Sequence, residues 1–150
     1  MPGIIVGVDG SAHSRLALDW ALNEAALRHE PLTVLAVSPL VTGIYGPGYA
    51  PADCFPAEEQ TRLQTEQAVG QLVGAAVGRR GGAAPAVTVR AVSGLAADEL
   101  IIASEDANLL VVGARGVGGF TRLIMGSVTT QVTHHAGCPV AVIPSPADER

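Results

Sequence analysis

The stretch Leu109-Leu110-Val111-Val112-Gly113-Ala114-Arg115-Gly116-Val117-Gly118-Gly119-Phe120-Thr121-Arg122-Leu123-Ile124-Met125-Gly126-Ser127 contains three features in succession. It opens with an apolar run too short for a helix, the pattern of a strand buried on both faces of a parallel sheet. A glycine-rich loop follows. Gly126 and Ser127 then lead into a segment read as a helix to about residue 136, poor in intrinsic propensity because Val and Thr fill it, with Gly137 as its stop. Glycines between a buried strand and a helix start let the backbone come close to a ligand. The first-turn N–H groups, equivalent to about half a positive charge, then face the same anion. Ser127 adds a hydroxyl there, and Arg115 and Arg122 are the cations of the loop. The loop is not a Walker A loop, since Gly-Lys-Ser/Thr is missing. Nor is it a dinucleotide fingerprint, which needs G-x-G-x-x-G in the first strand-to-helix turn; that turn reads Gly7-Val8-Asp9-Gly10-Ser11.

Working outward, similar apolar runs occupy residues 4–8, 32–37 and 140–143, while 87–92 alternates apolar with polar as a half-exposed edge strand does. Helical patterns lie between them. Ser11 caps one that runs to about residue 30 and stops at Pro31; the others cover about 56–77 and 95–106. The order β-α-β-α-β-α-β-α-β predicts an α/β fold with a parallel sheet and helices on both faces, one domain over residues 1–150. Two segments break the rhythm, the Gly/Pro-rich 39–56 and the glycine loop 113–127. Loops of that length within a compact domain are usually functional.

Composition narrows the functional classes. Of 150 residues 48% are hydrophobic and 15% charged, which excludes intrinsic disorder, and no apolar run approaches the ~20 residues that span a bilayer. The net charge of −5 gives no electrostatic footprint for nucleic acid. All nine cationic side chains are arginine, so no P-loop, Schiff-base or catalytic lysine exists. Cys54 and Cys138 lack metal-ligand spacing and read as small hydrophobes in a reducing compartment; with no basic leader or cleavage site after Met1, the expectation is a cytoplasmic protein. His134 and His135 are adjacent on a helix and point in different directions, so side-chain metal ligation is not expected. Trp20 reads as core packing.

The spacing Gly113-x2-Gly116-x9-Gly126-Ser127 resembles the nucleotide-binding signature G-x2-G-x9-G-(S/T) of the universal stress protein family. The likeness extends along the chain: Ile4-Ile5-Val6-Gly7-Val8-Asp9-Gly10-Ser11 resembles the family's first strand and aspartate turn, and Cys138-Pro139-Val140-Ala141-Val142-Ile143-Pro144 its closing strand. The resemblance implies a Rossmann-like three-layer sandwich, a five-stranded parallel sheet in the order 3-2-1-4-5. It also implies ATP or another adenine nucleotide as ligand, with magnesium or manganese held by the phosphates where a metal accompanies it. Carried over by position, Gly7, Val8 and Asp9 lie against the adenosine and Val37 against the adenine. Gly113, Ala114, Arg115, Gly116, Gly118 and Gly119 wrap ribose and phosphates, and Gly126, Ser127, Val128 and Thr129 present amides and hydroxyls to the phosphates.

Read from the residues alone, Asp9 caps the first helix beside Ser11; it is the resemblance that turns it towards the adenosine, and the two roles are compatible. No Ser/His/Asp arrangement and no base for an attacking water stand out. The leading reading is a nucleotide-dependent stress-response switch; a slow ATPase or phosphotransferase and a nucleotide-independent dimeric adaptor are the alternatives. In the implied order strand 5 is an edge. Its Val140, Ala141, Val142 and Ile143 are apolar on both faces, so a homodimer joined through this strand is expected.

Overall fold

The computed structural model describes residues 3–38, 58–114 and 126–144. Nine elements alternate in the expected order: β1 (Ile4–Gly7), α1 (Ala12–Arg28), β2 (Leu32–Ser38), α2 (Glu58–Arg80), β3 (Val87–Ser93), α3 (Ala96–Ser104), β4 (Leu109–Gly113), α4 (Ser127–His135) and β5 (Val140–Ile143). All neighbouring strands pair parallel, and the sheet runs β3-β2-β1-β4-β5. The expected α/β architecture is therefore the observed one. The segment 39–56, with Tyr45, Tyr49 and Cys54, lies outside the described residues, as does the glycine loop from Arg115 to Met125.

Successive strand residues feed two cores, as the twofold period of a strand requires. Ile4, Val6, Leu32, Val34, Leu109 and Val111 face α1 and α2, where Trp20 packs at the rim. Leu35, Leu110 and Val112 face Leu100 of α3 and Val132 of α4. β4 is buried along its whole length because both of its faces are covered. β3 has exposed Thr88 and Arg90, as a solvated edge should. Cys138 packs against the α3–α4 core, where burial raises its thiol pKa.

The helix ends differ from expectation in instructive ways. α1 stops at Arg28, because His29 adopts a left-handed conformation (φ 55°) and donates its N–H to the Ala25 and Ala26 carbonyls before Pro31 is reached. α2 continues to Arg80, three residues past the expected end. There Arg79 Nη2 meets Asp19 Oδ1 at 3.1 Å and Arg80 Nε meets Asn23 Oδ1 at 2.8 Å, tying its last turn to α1. Gly137 follows α4 as expected, but not as a left-handed cap: Ala136 ends the helix in extended backbone (φ −62°, ψ 147°). A β-carbon at Gly137 would lie 3.2 Å from Glu105 Cα, so the glycine permits close approach of the α4–β5 turn to the end of α3. Fully buried Ser104 fastens that approach, accepting from Gly137 N at 2.8 Å while its hydroxyl donates to Ile101 O at 2.6 Å.

Candidate functional site

The sheet order reverses direction between β1 and β4, which places a crevice at their carboxyl ends. These strands are in register at Val6–Val111. Two residues further along each chain stand Val8, just past the end of β1, and Gly113, the last residue of β4.

The first turn is a compact hydrogen-bonded knot. Ser11 is the N-cap of α1, its Oγ accepting from Ser14 N at 3.2 Å. Asp9 Oδ1 accepts from Ser11 N at 2.9 Å, while Asp9 N donates to Ser14 Oγ at 3.3 Å and that hydroxyl donates to Ser11 O at 3.0 Å. Gly10 carries the reversal with φ 85°, a conformation L side chains rarely adopt. Asp9 thus braces the Ser11 cap through the N–H of Ser11 rather than occupying the cap position itself, and presents an exposed carboxylate at the strand end. Ser14, which the sequence reading passed over, completes the knot; its signal is the Ser11-x-x-Ser14 spacing, which puts a second hydroxyl at the third helical position.

β4 ends against α1. Gly113 is buried, and a β-carbon there would stand 2.8 Å from the His13 carbonyl oxygen and 2.9 Å from its carbon. This signature glycine therefore lets the first turn of α1 lie directly on the end of β4. The start of α4 is pinned to the same place. Buried Thr129 donates its hydroxyl to Gly113 O at 2.7 Å, Gly126 N donates to Ala114 O at 2.9 Å, and Ala114 N donates to Ile143 O of β5 at 3.0 Å.

Several residues assigned by the motif offer a ligand less than their side chains. Val8 is buried in the α1–α2 core, and its N–H is given to Leu35 O at 3.0 Å. Val128 packs half-buried on the α3–α4 core, leaving its amide. Gly7 faces α3, where a β-carbon would meet Leu100 Cδ2 at 3.0 Å. Val37 is half-buried on that same face, in register with Val92. Ser127 is exposed as the first residue of α4. Arg115, Gly116, Gly118 and Gly119 lie outside the described residues.

What remains among the described residues is the start of α4. The N-cap of α4 is Gly126, which makes no side-chain cap, so among the described residues nothing accepts from the N–H groups of Ser127, Val128 and Thr129. Such amides at the positive end of a helix suit an anion. The carboxylate of Asp9, across the crevice mouth on the β1 side, suits hydroxyl or amine donors instead. Among the described residues no group of three His, Cys, Asp or Glu side chains could hold a metal ion, and no helix is long and apolar enough to cross a membrane.

Comparison with known proteins adds to this geometry. The profile of the universal stress protein family matches residues 2–144. A universal stress protein of Mycolicibacterium smegmatis is 37% identical over 142 residues, covering 94% of this chain and 47% of that protein. The chain spans about half the length of the curated relatives it matches. Among solved structures, UspA of Lactobacillus plantarum superposes with a TM-score of 0.72 at 26% identity, over 95% of this chain and 97% of that one. A universal stress protein solved in complex with cAMP superposes with a TM-score of 0.61 at 25% identity, over 95% of each chain.

Proposed function

The chain belongs to the universal stress protein family, and on that premise we propose that it binds an adenine nucleotide, ATP in the first instance, in the crevice between β1 and β4. The observation that carries this reading is the start of α4, without a side-chain cap among the described residues, held against the end of β4. The donor set fits a nucleoside phosphate better than a bare anion. Amides of Ser127, Val128 and Thr129 take the phosphates, whereas the Asp9 carboxylate repels phosphate and accepts from ribose hydroxyls or the base. Gly7 and Val8 line the nucleoside through their backbone, and Val37 supplies an apolar wall for the adenine. The motif assigns Gly113, Ala114, Arg115, Gly116, Gly118 and Gly119 to ribose and phosphates, and Gly126 to the phosphates beside Ser127, Val128 and Thr129. A divalent ion, where present, rides on the phosphates. The relative solved with cAMP supports an adenine nucleotide as the ligand class.

The protein acts in this reading as a stress-response regulator whose surface responds to the bound nucleotide. Its test is direct. Heat-denatured, freshly purified protein should release an adenine nucleotide, and emptied protein should be stabilised by ATP with magnesium. At 100 times the dissociation constant the gain is about 2.7 kcal/mol, a rise in Tm of about 5–10 °C. An unchanged melt at millimolar ATP, together with no heat on titration, would leave the adaptor reading in its place.

Assembly follows from the sheet. β5 is an edge strand of four apolar, half-buried residues, Val140, Ala141, Val142 and Ile143, paired only with β4 among the described residues. Such an edge is a template for strand or face pairing, and a homodimer through β5 is the arrangement we infer. Sedimentation velocity at micromolar concentration should show a dimer; a monomer under those conditions would exclude it.

A further inference from the structure

The geometry points to the Thr129 side chain as a positioning group, one that fixes the α4 amides for the nucleotide while its hydroxyl does not touch the ligand. This inference rests on the nucleotide reading above but departs from the motif, which gives the Thr129 hydroxyl to the phosphates.

Thr129 is 4% exposed and its hydroxyl proton is already committed to Gly113 O at 2.7 Å. A hydroxyl has one proton to donate, and a phosphate oxygen needs a donor, so the hydroxyl cannot serve both acceptors at once. Breaking the bond would also leave the buried carbonyl of Gly113 without this partner. The bond spans 16 residues and joins the last residue of β4 to the first turn of α4. A second bond, Gly126 N to Ala114 O at 2.9 Å, runs between the neighbouring residues of the same two elements. Together they act as a two-point clamp. One bond alone would let α4 pivot about it, whereas two fix both position and direction of the helix start.

The other anchors of α4 reinforce this assignment. Its core contacts come from Val128, Val132 and Ala136, apolar groups without directional preference. Thr130 and Thr133 return their hydroxyls to carbonyls of their own helix, Gly126 O at 3.0 Å and Thr130 O at 2.9 Å, and so fix nothing outside it. The bond from Gly137 N to Ser104 Oγ at 2.8 Å lies beyond the far end of α4, so the orientation of the Ser127, Val128 and Thr129 amides at its start depends on the clamp, and Thr129 is its side-chain half.

Thr129→Val keeps the shape and removes the donor; Thr129→Ser keeps the donor. Two quantities are read in each: the ATP dissociation constant by calorimetry, and hydrogen exchange of the Gly126 amide in nucleotide-free protein. The expected result for the valine variant is a dissociation constant raised at least tenfold and faster Gly126 exchange, with the serine variant within about threefold of wild type on both. Should valine prevent folding, Thr129→Ala supplies the same comparison. Weaker ATP binding with Gly126 exchange unchanged would mean that the hydroxyl meets the ligand directly, and would overturn the proposal. Unchanged affinity in the valine variant would reduce Thr129 to a structural residue and overturn it as well. Wild-type protein that binds no adenine nucleotide would sink the nucleotide reading itself; unaltered Gly126 exchange in the valine variant would then overturn the clamp too, on its own measurement.

Discussion

Gly113→Ala is expected to destabilise the protein by about 3 kcal/mol, near the upper end of what overpacking costs a buried site. The reason lies in what the new β-carbon meets. It would stand 2.8 Å from the His13 carbonyl oxygen and 2.9 Å from its carbon, both backbone atoms within the first turn of α1. A side chain in that position could rotate away; a helix backbone moves only by shifting the helix or the strand. Both are committed, α1 through Ala17, Leu18, Ala21, Leu22 and Ala25 in the core, and β4 through burial on both faces. Thermal or urea unfolding should therefore show Tm lowered by about 6–12 °C. Gly7→Ala is the internal control. The three atoms nearest its β-carbon would all belong to the Leu100 side chain, the first at 3.0 Å, and a leucine tip gives way more readily. If Gly113→Ala unfolded within 0.5 kcal/mol of wild type, the direct seating of α1 on β4 would be wrong. The consequence for the site is that this glycine is required before any ligand arrives, since displacing α1 at His13 displaces the Asp9–Ser11 turn that begins it.

The sheet was legible in the sequence because its signal is redundant. Residues 109–112 are apolar at every position, 87–92 alternate, and the observed β4 and β3 are respectively buried throughout and half-exposed. α4 was the weakest reading on propensity, and it forms nonetheless. Val132 and Thr129 are buried, and the clamp at its start outweighs the tenths of a kcal/mol that Val and Thr cost a helix. Partners in space were not legible. Nothing in Gly113, Gly137 or Thr129 as letters says that the opposing atoms are His13 O, Glu105 Cα and Gly113 O. The spacing of the motif located the site, but spacing does not distinguish a residue that touches a ligand from one that aligns its neighbours. Val8 and Val128 show the same limit: both sit at the crevice by position, and both have their side chains in the cores.

The opposite sign is expected for three other glycines. Gly70, Gly74 and Gly78 recur every fourth residue along α2, all exposed, and a β-carbon at any of them would meet nothing within 4 Å. None has positive φ, so alanine can adopt each backbone conformation without strain. Glycine costs a helix interior about 0.8–1 kcal/mol relative to alanine, through its greater freedom in the unfolded chain. The triple variant Gly70→Ala, Gly74→Ala, Gly78→Ala should gain about 2 kcal/mol, less than the full sum because Gly78 lies within the last turn, and its Tm should rise by about 4–8 °C. Gly10→Ala tests the reasoning from the other side. It too has open space around its β-carbon, but its φ of 85° makes alanine strained, so this variant should lose about 1 kcal/mol. Space and backbone angle are thus separated as causes. A triple variant no more stable than wild type, with Gly10→Ala behaving as expected, would mean that the outer face of α2 is not open in solution. Added methyl groups would then be meeting a surface packed closely against that glycine row.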